Sequence, residues 1–72
     1  MIGYNKNLGL ACQNFRRLKR IEQKQVAEET GYSLESVSAF ECGRSNNAAI
    51  LLWYFYNGLS IEYIRMNGGF NE

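Results

Sequence analysis

The stretch that most restricts what this chain can become runs from Gln23 to Arg44, QKQVAEETGYSLESVSAFECGR. It reads as a short helix, a glycine turn and a second short helix. Val26 and Ala27 fall on one face of the first. Gly31 sits where that helix must stop and reverse, and glycine reaches positive φ without steric cost. Ser33 is placed to cap the second helix, its hydroxyl accepting from a free backbone N–H. Val37 and Phe40, three residues apart, share one side of the second helix and face back toward Ala27. The small side chain at 27 lets the two helix backbones cross closely. Leu34, Glu35, Ser38, Ala39 and Cys42 form the other side, mostly small or polar. That side has no core to fill and is free to enter a groove.

The rest of the chain reads as helices around this pair. Its 72 residues include no proline and no histidine and show no strand alternation. A compact all-α bundle with local contacts is the solution at this size, read as one domain over residues 1–72. After an irregular Met1 to Asn7, a first helix is expected from near Asn7 to about Arg20. Leu8, Cys12 and Phe15 supply its apolar stripe, and Gly9 weakens its first turn by roughly 1 kcal/mol relative to alanine. Ile21 packs in the link. Further helices are expected over about Gln23 to Thr30, Leu34 to Cys42 (closed by Gly43), Ala48 to Asn57 (ended by Gly58) and Ile61 to Met66. An asparagine in the polar segment Arg44 to Asn47 caps the fourth, and Ser60 the fifth. Asn67-Gly68 stops the fifth helix, and Gly69 to Glu72 reads as a loose tail.

Charge and chemistry narrow the function classes. Net charge is only +1, but five of the eight basic residues, Arg16, Arg17, Lys19, Arg20 and Lys24, lie together with Glu22 as the single acid among them. Such a cluster is either an ordinary solvated helix end or a phosphate-contacting surface. The two cysteines, Cys12 and Cys42, fit neither a disulfide framework nor a metal spacing, and read as free thiols of a cytoplasmic protein. No metal or cofactor is expected. The N-terminus lacks a secretory pattern, and the longest apolar run, Ala48 to Tyr56, is about half a membrane span. With no histidine, no nucleophile elbow, no phosphate loop and no paired carboxylates in an evident cleft, an enzyme is not expected. The run Ala48 to Tyr56 is apolar all round, so one side is core. The remainder, drawn from Trp53, Tyr54 and Tyr56, is either further core or an aromatic partner surface.

The spacing Gln23-x-x-Val26-Ala27-x-x-x-Gly31-x-x-x-x-x-Val37-Ser38-x-x-Glu41-x-Gly43 resembles the helix-turn-helix of the Cro and lambda-repressor family. The likeness covers Phe15 through Gly58 and is tightest between Gln23 and Gly43. It implies a five-helix lambda-repressor-like DNA-binding domain with the helix-turn-helix at helices two and three. It also implies a structural ion pair between Arg16 on the first helix and Glu41 at the end of the third. Gln23 would contact a DNA phosphate and steady a side chain at the start of the recognition helix. Glu22 stands where the family usually has serine or threonine, and still suits the positive helix end.

By the same resemblance Leu34, Glu35 and Ser38, with Ser33 beside them, would meet base edges in the major groove. The family often has glutamine, arginine or asparagine where Leu34 stands, so apolar contact such as a thymine methyl is what remains there. Glu35 could accept from a cytosine amino group. Arg17 and Lys24, with Arg44 and Asn46 after the third helix, would touch the phosphate backbone, although the segment after the third helix reads equally as a solvated turn. The fourth and fifth helices would carry a dimer contact, with Asn57 in place of a leucine. The expected function is a small Cro-like transcriptional regulator of phage or mobile-element type, a homodimer on double-stranded operator DNA. The alternative is a protein-binding modulator of the same fold that engages another regulator, such as a repressor.

Overall fold

The computed structural model describes residues 3–67, with side chains from Lys6 onward. The chain is all-helical over this range, with α1 (Gly3–Leu18), α2 (Gln23–Thr30), α3 (Leu34–Glu41), α4 (Ala48–Tyr56) and α5 (Ile61–Asn67). The expected loose tail and the Gly68 stop lie outside the described residues. Helix α2 packs on α3 and α4, and α1 packs on α3, α4 and α5.

The local signals act where the sequence put them. Gly31 ends α2 at φ 81°, its N–H bonded to the Ala27 carbonyl. Ser33 Oγ accepts from the Ser36 N–H at 3.1 Å to open α3. Asn47 Oδ1 accepts from the N–H groups of Ala49 and Ile50 to open α4, and Ser60 Oγ accepts from Tyr63 N–H to open α5. Glu22 stands at the N-cap of α2 in extended geometry, and its side chain makes no capping bond.

Two expectations about α1 are corrected. The helix begins at Gly3, so the segment before Asn7 is helical from its third residue rather than irregular. It also stops two residues short of Arg20. Ile21 N–H reaches back to the Arg16 carbonyl and Arg20 N–H to the Arg17 carbonyl, a paired closure that forces Arg20 to φ 60°. The same closure ends α3 at Gly43 and α4 at Gly58, where glycine carries the positive φ. At Gly43 a side chain is excluded twice over, because a Cβ there would also lie 2.5 Å from Lys6 Cα.

One core runs through all five helices: Leu8, Ala11, Cys12 and Phe15 of α1, Val26 of α2, Val37 and Phe40 of α3, Ile50, Trp53 and Tyr54 of α4, then Leu59 and Ile64. The expected stripe of Leu8, Cys12 and Phe15 is buried. Gly9 belongs to it for a reason not visible locally: a Cβ there would lie 2.5 Å from the carbonyl oxygens of both Phe40 and Glu41. It is the point where α1 crosses the end of α3, so its low helix propensity is offset by backbone contact that alanine would forbid.

Candidate nucleic-acid interface

The far end of α3 is fixed by a buried polar cluster centred on Glu41. Arg16 Nε and Nη2 donate to its two carboxylate oxygens at 2.8 and 3.1 Å, a bidentate pair. Gln23 Nε2 donates to Oε1 at 2.9 Å, and the Tyr54 hydroxyl donates to Oε2. Arg16 Nη1 also holds the Ile21 carbonyl at 2.8 Å, clamping the α1–α2 link. The cluster ties four of the five helices together, since its members come from α1, α2, α3 and α4.

The ionisation states follow from this geometry. The bonds to Glu41 raise the Arg16 pKa further, so the guanidinium stays charged. Burial first, then the bond to the Glu41 carboxylate, pushes the Tyr54 hydroxyl far above its ordinary value, keeping it a donor. Burial, with a smaller push from the Glu41 charge, raises the neighbouring Cys12 thiol to about 12. Every buried side-chain nitrogen and oxygen among the described residues has a partner. A charge cluster of this kind need not add net stability, but moving α3 off α1 would strand its buried charges without partners.

The near end of α3 is open. Leu34 is 51% exposed, Glu35 and Ser33 are exposed, and Ser38 is half-buried. Ser33 Oγ is occupied by its cap and lies 3.0 Å from Ser36 Oγ, so its first duty is to start the helix. Arg17, Gln23, Lys24 and Leu34, all expected at the interface, line one shallow depression between the end of α1 and the starts of α2 and α3. Gln13, Arg16 and Glu22 complete its wall. Gln13 was not anticipated. Its position four residues before Arg17, one helical turn away on the same side of α1, is the signal that could have found it.

Gln23 requires a correction. It steadies the end of α3 through Glu41, not a side chain at the start, and this engages its amide nitrogen. Arg44 and Asn46 are exposed, beyond the other end of α3, and do not join the depression.

The expected aromatic partner surface is also corrected. Trp53 is 7% exposed and Tyr54 is fully buried, whereas Tyr56 is 91% exposed. Tyr54 stacks on Phe40 at 5.9 Å and meets the Trp53 ring edge-on at 5.1 Å. Asn57 closes α4, its side-chain amide donating to the Trp53 carbonyl at 2.8 Å. What α4 leaves outside is Ala48, Ala49, Leu52 and Tyr56. A buried tyrosine needs a hydroxyl partner, so the apolar run itself carried a hint that Tyr54 would seek a polar group.

Cys12 and Cys42 are free thiols, the first buried and the second exposed. No group of acidic or thiol ligands that could hold a metal occurs among the described residues, and no helix there is long and apolar enough to cross a membrane. No family model matches the chain, and neither a curated protein nor a solved structure matches it.

Proposed function

We propose that the chain is a DNA-binding regulator of Cro and lambda-repressor type, in which α2, Gly31 and α3 act as the helix-turn-helix and the start of α3 enters the major groove. The observation that carries this reading is the asymmetry of α3. Its Glu41 end is locked, while its Leu34 end is open beside Arg17 and Lys24, two cations within reach of the backbone of any duplex that α3 enters. Arg16 has no phosphate role in this reading, because its guanidinium is buried in the bidentate pair with Glu41 and also holds the Ile21 carbonyl. The partner is double-stranded operator DNA, the compartment cytoplasmic, and no catalytic step is proposed. Self-association is part of the reading, with Leu52 and Tyr56 rather than Trp53 and Tyr54 on the surface offered to another copy.

Salt titration tests it. Binding to operator-containing DNA should weaken steeply as salt rises, and replacing Arg17 and Lys24 with alanine should lower the slope of log K against log salt by about 2. Ser38→Arg should change sequence preference if α3 reads bases. No binding to any duplex at low salt would overturn the proposal. One observation favours a second reading, a modulator that engages another regulator protein: Glu35, a carboxylate, stands exposed beside Leu34 on the face that would meet DNA. A tight protein partner together with absent DNA binding decides for it.

A further inference from the structure

Two exposed features lie apart from the open end of α3. The first is a groove between α2 and α4, lined by Glu29, Thr30, Ala49, Leu52, Trp53 and Tyr56. Its walls are largely apolar, with Leu52 63% and Tyr56 91% exposed. Its rim carries one fixed anion. The Trp53 indole N–H donates to Glu29 Oε1 at 2.8 Å, and Gln25 Nε2 donates to Oε2 at 3.0 Å. Both bonds lower the Glu29 pKa and hold the carboxylate in place. No lysine or arginine lines the groove.

The second feature is Leu18, the last residue of α1 and 70% exposed. It continues the line of Ala11 and Phe15, which are buried, but α1 ends there and the side chain stays outside the core. Lys19 and Arg20 follow it directly, with no acid between Phe15 and Ile21. Lys19 is held close by, its ammonium 5.4 Å from the Phe15 ring centre. The exposed apolar residues of α5, Ile61 and Met66, lack this character, because Glu62 sits between them beside Arg65.

We propose that copies of this chain associate head to tail, with Leu18 of one copy and its flanking cations seated in the α2–α4 groove of the next, beside Glu29. Charge decides between this and a two-fold contact. A symmetric pairing through the groove brings both Glu29 carboxylates into one interface with no lysine or arginine from the groove to offset them, and like charges at an interface are unfavourable. The Leu18 end brings an aliphatic anchor and cations together, which complements both the apolar walls and the anionic rim. Because anchor and groove are different surfaces of one chain, the contact is heterologous and leaves a free groove and a free anchor at the ends of every open assembly. The proposal rests on the self-association suggested under the proposed function and not on the DNA reading.

Sedimentation and light scattering of the full chain without DNA test it. The wild type should show concentration-dependent mass growing past a dimer and weakening with salt. Leu18→Glu and Leu52→Glu, both at exposed positions, should each lower association by roughly tenfold or more. Mixed together they should form a one-to-one complex that grows no further, since one keeps its groove and the other its anchor. Trp53, the only tryptophan, should change its emission on assembly. Thermal melts of the two variants check that folding is retained. A wild type that stays monomeric throughout overturns this proposal and the self-association with it. A closed dimer indifferent to Leu18→Glu overturns the head-to-tail contact and leaves the symmetric one. Either result leaves the DNA reading to its own salt titration.

Discussion

The two ends of α3 are about 12 Å apart along the helix axis and live under opposite rules. At one, Glu41 is 4% exposed and takes four donors from three other helices. At the other, Leu34 and Glu35 stand in the open with only a serine cap behind them. A carboxylate buried among donors fixes orientation, because any other placement of α3 strands charges away from water. An exposed leucine and glutamate fix nothing and are free to contact something else. Rigidity at one end thus aims the other.

The most forceful way to break this contrast is Glu41→Ala. It leaves Arg16 charged and buried without its partner, and should cost about 3–5 kcal/mol in denaturant unfolding. Replacing both partners with apolar residues of similar volume should cost less than that single change, because no charge is then stranded.

Alkaline titration probes the same end more gently. The Cys12 thiol is held at about 12 against an ordinary 9.0, and the Tyr54 hydroxyl well above its ordinary 10.0. Both groups bind their protons more tightly in the folded state. Their contribution is therefore complete below pH 9, and it is lost as pH rises from 9 toward 12, where the unfolded chain gives up protons that the folded one keeps. Stability should fall by about 1.4 kcal/mol per pH unit through Cys12 from pH 9, with a further similar slope through Tyr54 only above its ordinary 10.0. Cys12→Ala should remove the earlier part of the fall, measured by denaturant midpoints across pH.

Between the two ends in size is Arg20, which closes α1 at φ 60° without being glycine. Arg20→Gly should raise stability by about 0.5–1 kcal/mol, the relief of left-handed strain less the added freedom of the unfolded chain. At the open end, Leu34→Ala should change the melting free energy by less than about 0.5 kcal/mol, since no core contact is lost. A loss of several kcal/mol at Leu34 would mean that the near end of α3 is structural too, and the contrast would disappear.

Much of the fold was legible in the sequence, and the reason is range. Gly31, Ser33, Gly43, Asn47, Gly58 and Ser60 act on their own backbone or on groups a few residues away, so their sequence positions suffice to stop α2, to start and stop α3 and α4, and to start α5. The buried stripe of α1 and the inward pair Val37 and Phe40 follow from helical period. The pairing of Arg16 with Glu41 came only through a family resemblance, because twenty-five residues separate them and no local pattern joins them.

The faces of α4 show where reading by sequence ends. A helix apolar on every side gives no period to say which side goes in. That choice was made by Phe40, which stacks on Tyr54, and by Glu41, which accepts its hydroxyl, so Tyr54 is buried and Tyr56 is not. Gly9 is similar: as a local residue it only weakens a helix, and its use appears once α3 lies across it. The sequence by itself determined that α2 to α5 are helices, the caps at Ser33, Asn47 and Ser60, and the stripe that α1 buries, since these depend on neighbours along the chain. Tertiary structure alone decided the crossing at Gly9, the burial of Trp53 and Tyr54 and the turn of Gln23 toward Glu41. Each of these depends on surfaces brought together from distant parts of the chain.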